Sequence, residues 1–427
     1  MLSYAFLYDN STSLTTAQGY EWTRILELPR QIRFLEFGAV VVAALLLLVR
    51  RRSRTSLVLA AGVLMFASVA LCSYVPRPVV TPTDFGRLVY MYILPVLVFV
   101  IAHELSWSTS AITRLVRFIL LSALVSAAVS WTQYLYFGYE VGDDITGLNQ
   151  DAHSNASLLM VATFLLLVQG LFFRRRTRLL LGLGTALTAV LSSALKLLIM
   201  APALAATLRY YSRTRGRASW GISNRATAAI TLATVFSGAL FMAFSRVDTR
   251  SAKRMPAFME RLANDPLSLG PIEAHRDAAT RLFRGAQPLI FGYGPFSYSN
   301  PISMGQTREG GALGQYVTFS VKPDESGEDM SVTLTTSLAV EFGLPAFFIL
   351  VWMYVTILHS VIQCTRSHDV TVRAYAAAAV PALVLLLASA ALAQFGSISA
   401  LSLSWPVMLL SGAVCRLAAD TRLVTQP

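Results

Sequence analysis

The stretch SLLMVATFLLLVQGLFFRRRTRLLLGLG, running from Ser157 to Gly184, decides the fold. An apolar run gives way to Arg174-Arg175-Arg176-Thr177-Arg178, and a second apolar run begins at once. A helix needs about 20 apolar residues to cross a hydrocarbon core roughly 30 Å thick, so each run can span a bilayer and the arginines mark the turn between them. Fixed cations between two spans belong on the cytoplasmic side by the positive-inside rule.

Outward from this stretch the same pattern recurs. With 55% hydrophobic and only 14% charged residues, the 427-residue chain is not a set of soluble domains. Its apolar runs are continuous, which excludes a barrel of alternating strands. Spans are expected near 34–49, 55–74, 86–103, 118–138, 154–173, 179–195, 197–211, 226–244, 332–358, 374–393 and 399–415. The expected fold is therefore an all-α polytopic bundle of about eleven transmembrane helices. Its organisation reads as an extramembrane or interfacial segment 1–33, eight helices over 34–244, one large periplasmic loop over 245–331, three helices over 332–416 and a cytoplasmic tail 417–427. Segment 1–33 lacks a basic start followed by an apolar core, so no cleavable signal is read there.

The net charge of +12 follows this topology rather than pointing to nucleic acid. Arg50-Arg51-Arg52-Ser53-Arg54 and Arg213-Thr214-Arg215-Gly216-Arg217 repeat the basic turn. Together the segments assigned to the cytoplasm hold more than half of the Lys and Arg, against the acids Glu104, Asp369 and Asp420. The three cysteines, Cys72, Cys364 and Cys415, lie in or at the ends of apolar runs without metal-ligand spacing. They read as membrane-embedded thiols, with neither a disulfide nor zinc expected.

Five places carry polar chemistry. Gly147-Leu148-Asn149-Gln150-Asp151-Ala152-His153-Ser154-Asn155 gathers amides, a carboxylate and an imidazole at the entrance to a span; the alternative is a helix cap with a solvated loop. Lys196 stands alone between two apolar runs at an outer turn, where it either snorkels to water or meets an anion. In His275-Arg276-Asp277-Ala278-Ala279-Thr280-Arg281-Leu282-Phe283-Arg284, helical spacing can bring Arg276 and Arg284, or Arg281 and Arg284, to one face. Guanidiniums so placed suit a diphosphate; lipid headgroups are the alternative. Next comes the turn Pro288-Leu289-Ile290-Phe291-Gly292-Tyr293-Gly294, which neither follows a strand nor opens a helix and so is not a dinucleotide loop. Last, Glu341-Phe342-Gly343 lies within a span, where an acid usually faces the bundle interior and pairs with a cation. The acidic Glu140-Val141-Gly142-Asp143-Asp144 segment reads as a solvated loop, and no metal or other cofactor is expected.

In this order the pieces resemble the O-antigen ligase and polysaccharide polymerase superfamily of bacterial inner-membrane proteins. The resemblance covers roughly Gly147 to Leu350: an outer-loop Gly and Asn motif, a short turn between spans, an Arg-led helix, a Pro-Leu-x-Gly-x-Gly turn and a Glu-x-Gly. Lys196 stands where the family has Arg. The His-Asn pair of ligases is replaced by Val332-Thr333, which tilts the reading toward a repeat-unit polymerase. The resemblance implies a GT-C-like bundle that transfers glycans from a polyprenyl diphosphate to a sugar hydroxyl at the periplasmic face. It implies Lys196, Arg276, Arg281 and Arg284 on the diphosphate, catalytic roles for Arg276, His153, Asp151 and Glu341, and Asn149, Asn155, Gly292, Tyr293 and Gly294 against substrate. The bilayer, a lipid-linked oligosaccharide and, around it, a flippase and a chain-length regulator are the implied partners. A transporter of the same glycans is the rival, expected to show paired repeats and broken helices.

Overall fold

The computed structural model describes residues 40–47, 49, 53–76, 82–139, 145, 147–148, 152–173, 175–189, 191, 264, 270–295, 297–298, 333–392 and 404–425. Among these residues the chain is helical. We number its principal helices α1 (Arg54–Tyr74), α2 (Pro82–Glu104), α3 (Thr109–Leu135), α4 (Ala152–Phe172), α5 (Gly270–Leu282), α6 (Ala286–Phe291), α7 (Leu334–Cys364), α8 (Val370–Leu392) and α9 (Ser404–Thr425). A further helix covers 176–189 and begins within the basic run 174–178.

Four of these helices are long and apolar enough to cross a membrane: Arg54–Tyr74, Thr109–Leu135, Leu334–Cys364 and, within α8, Val370–Ala388. Within α2 and α4 the described side chains form the further apolar runs Tyr92–Glu104 and Asn155–Gly170. Of the about eleven spans expected, four helices among the described residues have the length and apolarity of a span. The spans expected at 197–211 and 226–244, together with most of the 245–331 loop, lie outside the described residues. α3 begins nine residues before the expected 118, because Ser108 caps it there and accepts a hydrogen bond from the Ala111 N–H at 3.2 Å. α1 starts likewise at Ser53, whose hydroxyl accepts from the Ser56 N–H.

Successive helices alternate in direction. At one end of the bundle Ser53 donates to the Glu104 carboxylate, joining the start of α1 to the end of α2. At the other end the Ser73 hydroxyl of α1 reaches α7 near its start. The Thr113 and Tyr375 hydroxyls, 3.4 Å apart, set the beginnings of α3 and α8 side by side. Small residues bring backbones together, as expected where lipid supplies no hydrophobic drive between helices. A Cβ on Gly412 of α9 would lie 2.6 Å from the Phe99 carbonyl of α2. Elsewhere the core is aromatic: Phe66, Tyr92 and Phe342 pack with ring centroids 5.9 to 6.2 Å apart and tie α1, α2 and α7 together. Leu64 and Leu121 face outward with more than half of their surface exposed, as lipid-facing side chains do.

Candidate functional site

The site is built around an interruption in α7. Thr333 caps this helix in a reciprocal capping box with Thr336. Helical geometry then fails at Gly343, whose φ of 83° and ψ of 169° lie outside it, and Pro345 follows two residues later. The amide four residues beyond Glu341 would belong to Pro345, which has no N–H, so the Glu341 carbonyl has no donor within its own helix. Val340 loses its donor to the break itself.

Both carbonyls find donors on other elements. The Tyr293 N–H donates to the Val340 carbonyl at 2.8 Å and the Gly294 N–H to the Glu341 carbonyl at 3.0 Å. The Ser73 hydroxyl takes the second lone pair of Glu341 O at 2.8 Å. Buried backbone acceptors must be satisfied, and here the Gly-Tyr-Gly turn supplies what the proline cannot. The approach depends on two glycines with positive φ. A Cβ on Gly292 would fall on the Glu341 carbonyl, and one on Gly343 would fall on the Ile290 carbonyl. The turn and the Glu-x-Gly, read in sequence as separate motifs, are thus two halves of one backbone junction.

Side chains extend this junction into α5. The fully buried Glu341 accepts, at Oε1, the Tyr298 N–H at 3.3 Å. The Tyr298 hydroxyl lies 3.3 Å from the Ala274 carbonyl and 3.1 Å from Asp277 Oδ2. Arg281 Nε donates to that same oxygen at 2.7 Å. Tyr293 closes the circuit, its hydroxyl donating to the Arg281 carbonyl at 3.0 Å. His275 Nε2 stands 3.1 Å from Thr335 Oγ1 at the start of α7.

This arrangement divides the basic run. Arg276, Arg284 and His275 are exposed, whereas Arg281 is turned inward and committed to Asp277. Arg281 therefore holds α5 together, while Arg276 on α5 and Arg284 in the turn after it are exposed. Phe283, Ile290 and Phe291 are exposed as well, so the segment of α5 and α6 presents aromatic and aliphatic surface together with positive charge.

Asn155 belongs to a second cluster, between α3 and α4 at the same end of the bundle. Its Oδ1 accepts from the Ser126 hydroxyl at 2.7 Å and its Nδ2 donates to Ser130 Oγ at 2.8 Å. Ser126 Oγ also accepts the Leu148 N–H at 2.9 Å, and Gln133 Oε1 accepts the Gly147 N–H at 2.8 Å. Gly147 adopts φ 60° here, and a Cβ on it would strike Asn155 and Ser126. Asn155 is fully buried, so it positions the loop before α4. His153 lies in the first turn of α4. Asn149, Asp151 and Lys196 lie outside the described residues, as does the acidic segment 140–144.

Ser73, Asp277 and Tyr298 did not stand out in the sequence. Asp277 and Arg281 at helical i, i+4 spacing carried a readable signal; a lone serine and a lone tyrosine carried none. Among the described residues no group of His, Cys, Asp and Glu could hold a metal ion. Neither a family model nor a curated protein sequence matches this chain.

Proposed function

We propose that this chain is a bacterial inner-membrane glycosyltransferase, a polymerase that joins polyprenyl-diphosphate-linked oligosaccharide units at the periplasmic face. About eleven spans would surround the site, with the loop of α5 and α6 as its outer cap. The observation that supports this reading best is the junction itself. It fixes α5, which carries the exposed Arg276, and the turn after it, which carries the exposed Phe283 and Arg284, against a broken membrane helix, with Ile290 and Phe291 exposed on α6. A lipid diphosphate has the matching shape: an apolar tail and two charged phosphates.

In such a transfer the acceptor hydroxyl attacks the anomeric carbon, the bond to the diphosphate oxygen breaks, and negative charge collects on the leaving group. Preplaced guanidiniums that gain strength as this charge develops lower the barrier. Arg276 and Arg284, exposed on the cap, serve that role together with Lys196. Arg281 assists by fixing the helix. The acceptor proton needs a base within hydrogen-bond reach, and His275 is the exposed candidate among the described residues, with His153 in the first turn of α4 and Asp151, outside the described residues, as the other candidates. Glu341, buried and holding the Tyr298 amide, acts as a positioning group. A flippase and a chain-length regulator would be its partners, and no cofactor is called for.

The break in α7 also belongs to the vocabulary of transporters, whose discontinuous helices line substrate sites. Here the carbonyls freed by the break are occupied by the 293–294 backbone rather than left open to a path, which favours the enzyme. Purified protein in vesicles, given a polyprenyl-diphosphate oligosaccharide, is expected to produce a ladder of longer lipid-linked glycans. Glycans unchanged in length but carried across the vesicle membrane would overturn the reading and support transport.

A further inference from the structure

Far from the junction, the structure brings together two side chains that the sequence keeps 51 residues apart. Cys364 ends α7 and Cys415 lies in α9. Their Sγ atoms are 3.5 Å apart and both residues are buried. The Cys364 thiol also lies 3.2 Å from the Ser360 carbonyl, within its own helix. One residue along, Arg416 pairs with Asp420 at 2.8 Å, so the thiols sit at the polar boundary of the bundle and not at its midplane.

We propose that Cys364 and Cys415 are a modification site, at which a two-electron oxidant of the peroxide or disulfide class closes a covalent tie between α7 and α9. Two S–H bonds break and one S–S bond forms. The two electrons and two protons pass to the oxidant, which leaves as two waters from hydrogen peroxide or as two thiols from a disulfide. A sulfur–sulfur bond is about 2.05 Å long, so the two atoms must close by roughly 1.5 Å. Both side chains are unbranched beyond Cβ, and each moves its sulfur by turning about one bond.

Burial makes the pair selective. Large thiol reagents are excluded, whereas a small oxidant needs to reach only one sulfur for the second to resolve it. Cysteine as mere small filler at a helix crossing would bring no requirement that the sulfurs face each other. The tie would fasten the far end of the helix whose near end carries Glu341 and Gly343. This inference rests on the thiol geometry alone and stands apart from the proposed glycan chemistry.

The full chain in native membranes is treated with hydrogen peroxide, quenched with N-ethylmaleimide, denatured and digested. Recovery of the Cys364 and Cys415 peptides joined to each other, lighter by two hydrogens and separated again by a reductant, is the expected result. Cys72, which is exposed, reports whether the oxidant dose sufficed. Complete alkylation of Cys364 and Cys415 at a dose that consumes Cys72, or links made only through Cys72, would overturn the proposal. Cys364→Ser and Cys415→Ser should each abolish the joined peptide, and Cys72→Ala should leave it intact.

Discussion

Arg276 and Arg281 are separated by little more than one helical turn, yet they face different tasks. Arg276 is exposed on α5 and, among the described residues, enters no ion pair. Its replacement by Ala is expected to lower glycan elongation about 10²- to 10³-fold, the usual loss when one preplaced donor to a developing charge is removed. The thermal midpoint in detergent should stay unchanged. Arg281→Ala acts the other way. It leaves the Asp277 carboxylate, part-buried against Tyr298, without its guanidinium, at a cost of about 1–3 kcal/mol. A lowered midpoint should therefore accompany any loss of activity, and Arg281→Lys should recover part of it. Equal midpoints for Arg276→Ala and Arg281→Ala would refute the division of the basic run.

Two short backbone segments, 290–294 and 340–343, bear the junction, and glycine is required at two of their positions. Gly343→Ala and Gly292→Ala each place a side chain at positive φ, which costs about 1–3 kcal/mol, and each Cβ also meets a carbonyl of the opposing segment. Either substitution should undock α6 from α7 and abolish elongation, with a fall in stability. Ser73→Ala removes one of two donors to the Glu341 carbonyl and should cost only about 0.5–1.5 kcal/mol. Limited proteolysis near 286–294 would record the difference, and a Gly292→Ala protein as resistant as Ser73→Ala would contradict the junction. Half of this was readable beforehand. Gly343 and Pro345 are helix-breaking residues in sequence, and Gly292-Tyr293-Gly294 had to turn. What no local pattern shows is that the carbonyls orphaned by one segment are satisfied by the other. That pairing depends on chain closure between segments some fifty residues apart. Arg281 was grouped with Arg276 and Arg284 because spacing alone leaves the direction of a side chain open. Asn155 was singled out as a polar residue at the entrance to a span; its partners Ser126 and Ser130 lie on another helix, which no local pattern shows.

Across the bundle, the alternation of helix directions sets which segments share a side. Ser53, the end of α2, the turn around Arg175 and the α7–α8 connection gather at one end, opposite the cap of α5 and α6. Apolar runs made this arrangement legible, because each long run and each basic turn is a local signal that needs no knowledge of packing. The number of spans was less so: four helices among the described residues have the length and apolarity of a span, while several of the expected runs lie wholly or partly outside those residues. Sidedness can be measured directly. In a Cys72→Ala background, which retains only the two buried thiols, a single cysteine is introduced at Gln287 on the exposed cap or at Arg176 in the basic turn. A membrane-impermeant maleimide added to spheroplasts should label position 287 at once and position 176 only after permeabilisation. Arginines resist translocation in short loops, and the cap belongs to a loop long enough to escape that rule. Labelling in the opposite order would put Arg276 and Arg284 in the cytosol, out of reach of a donor displayed on the periplasmic leaflet, and the glycosyl transfer proposed for this chain would have no substrate to act on.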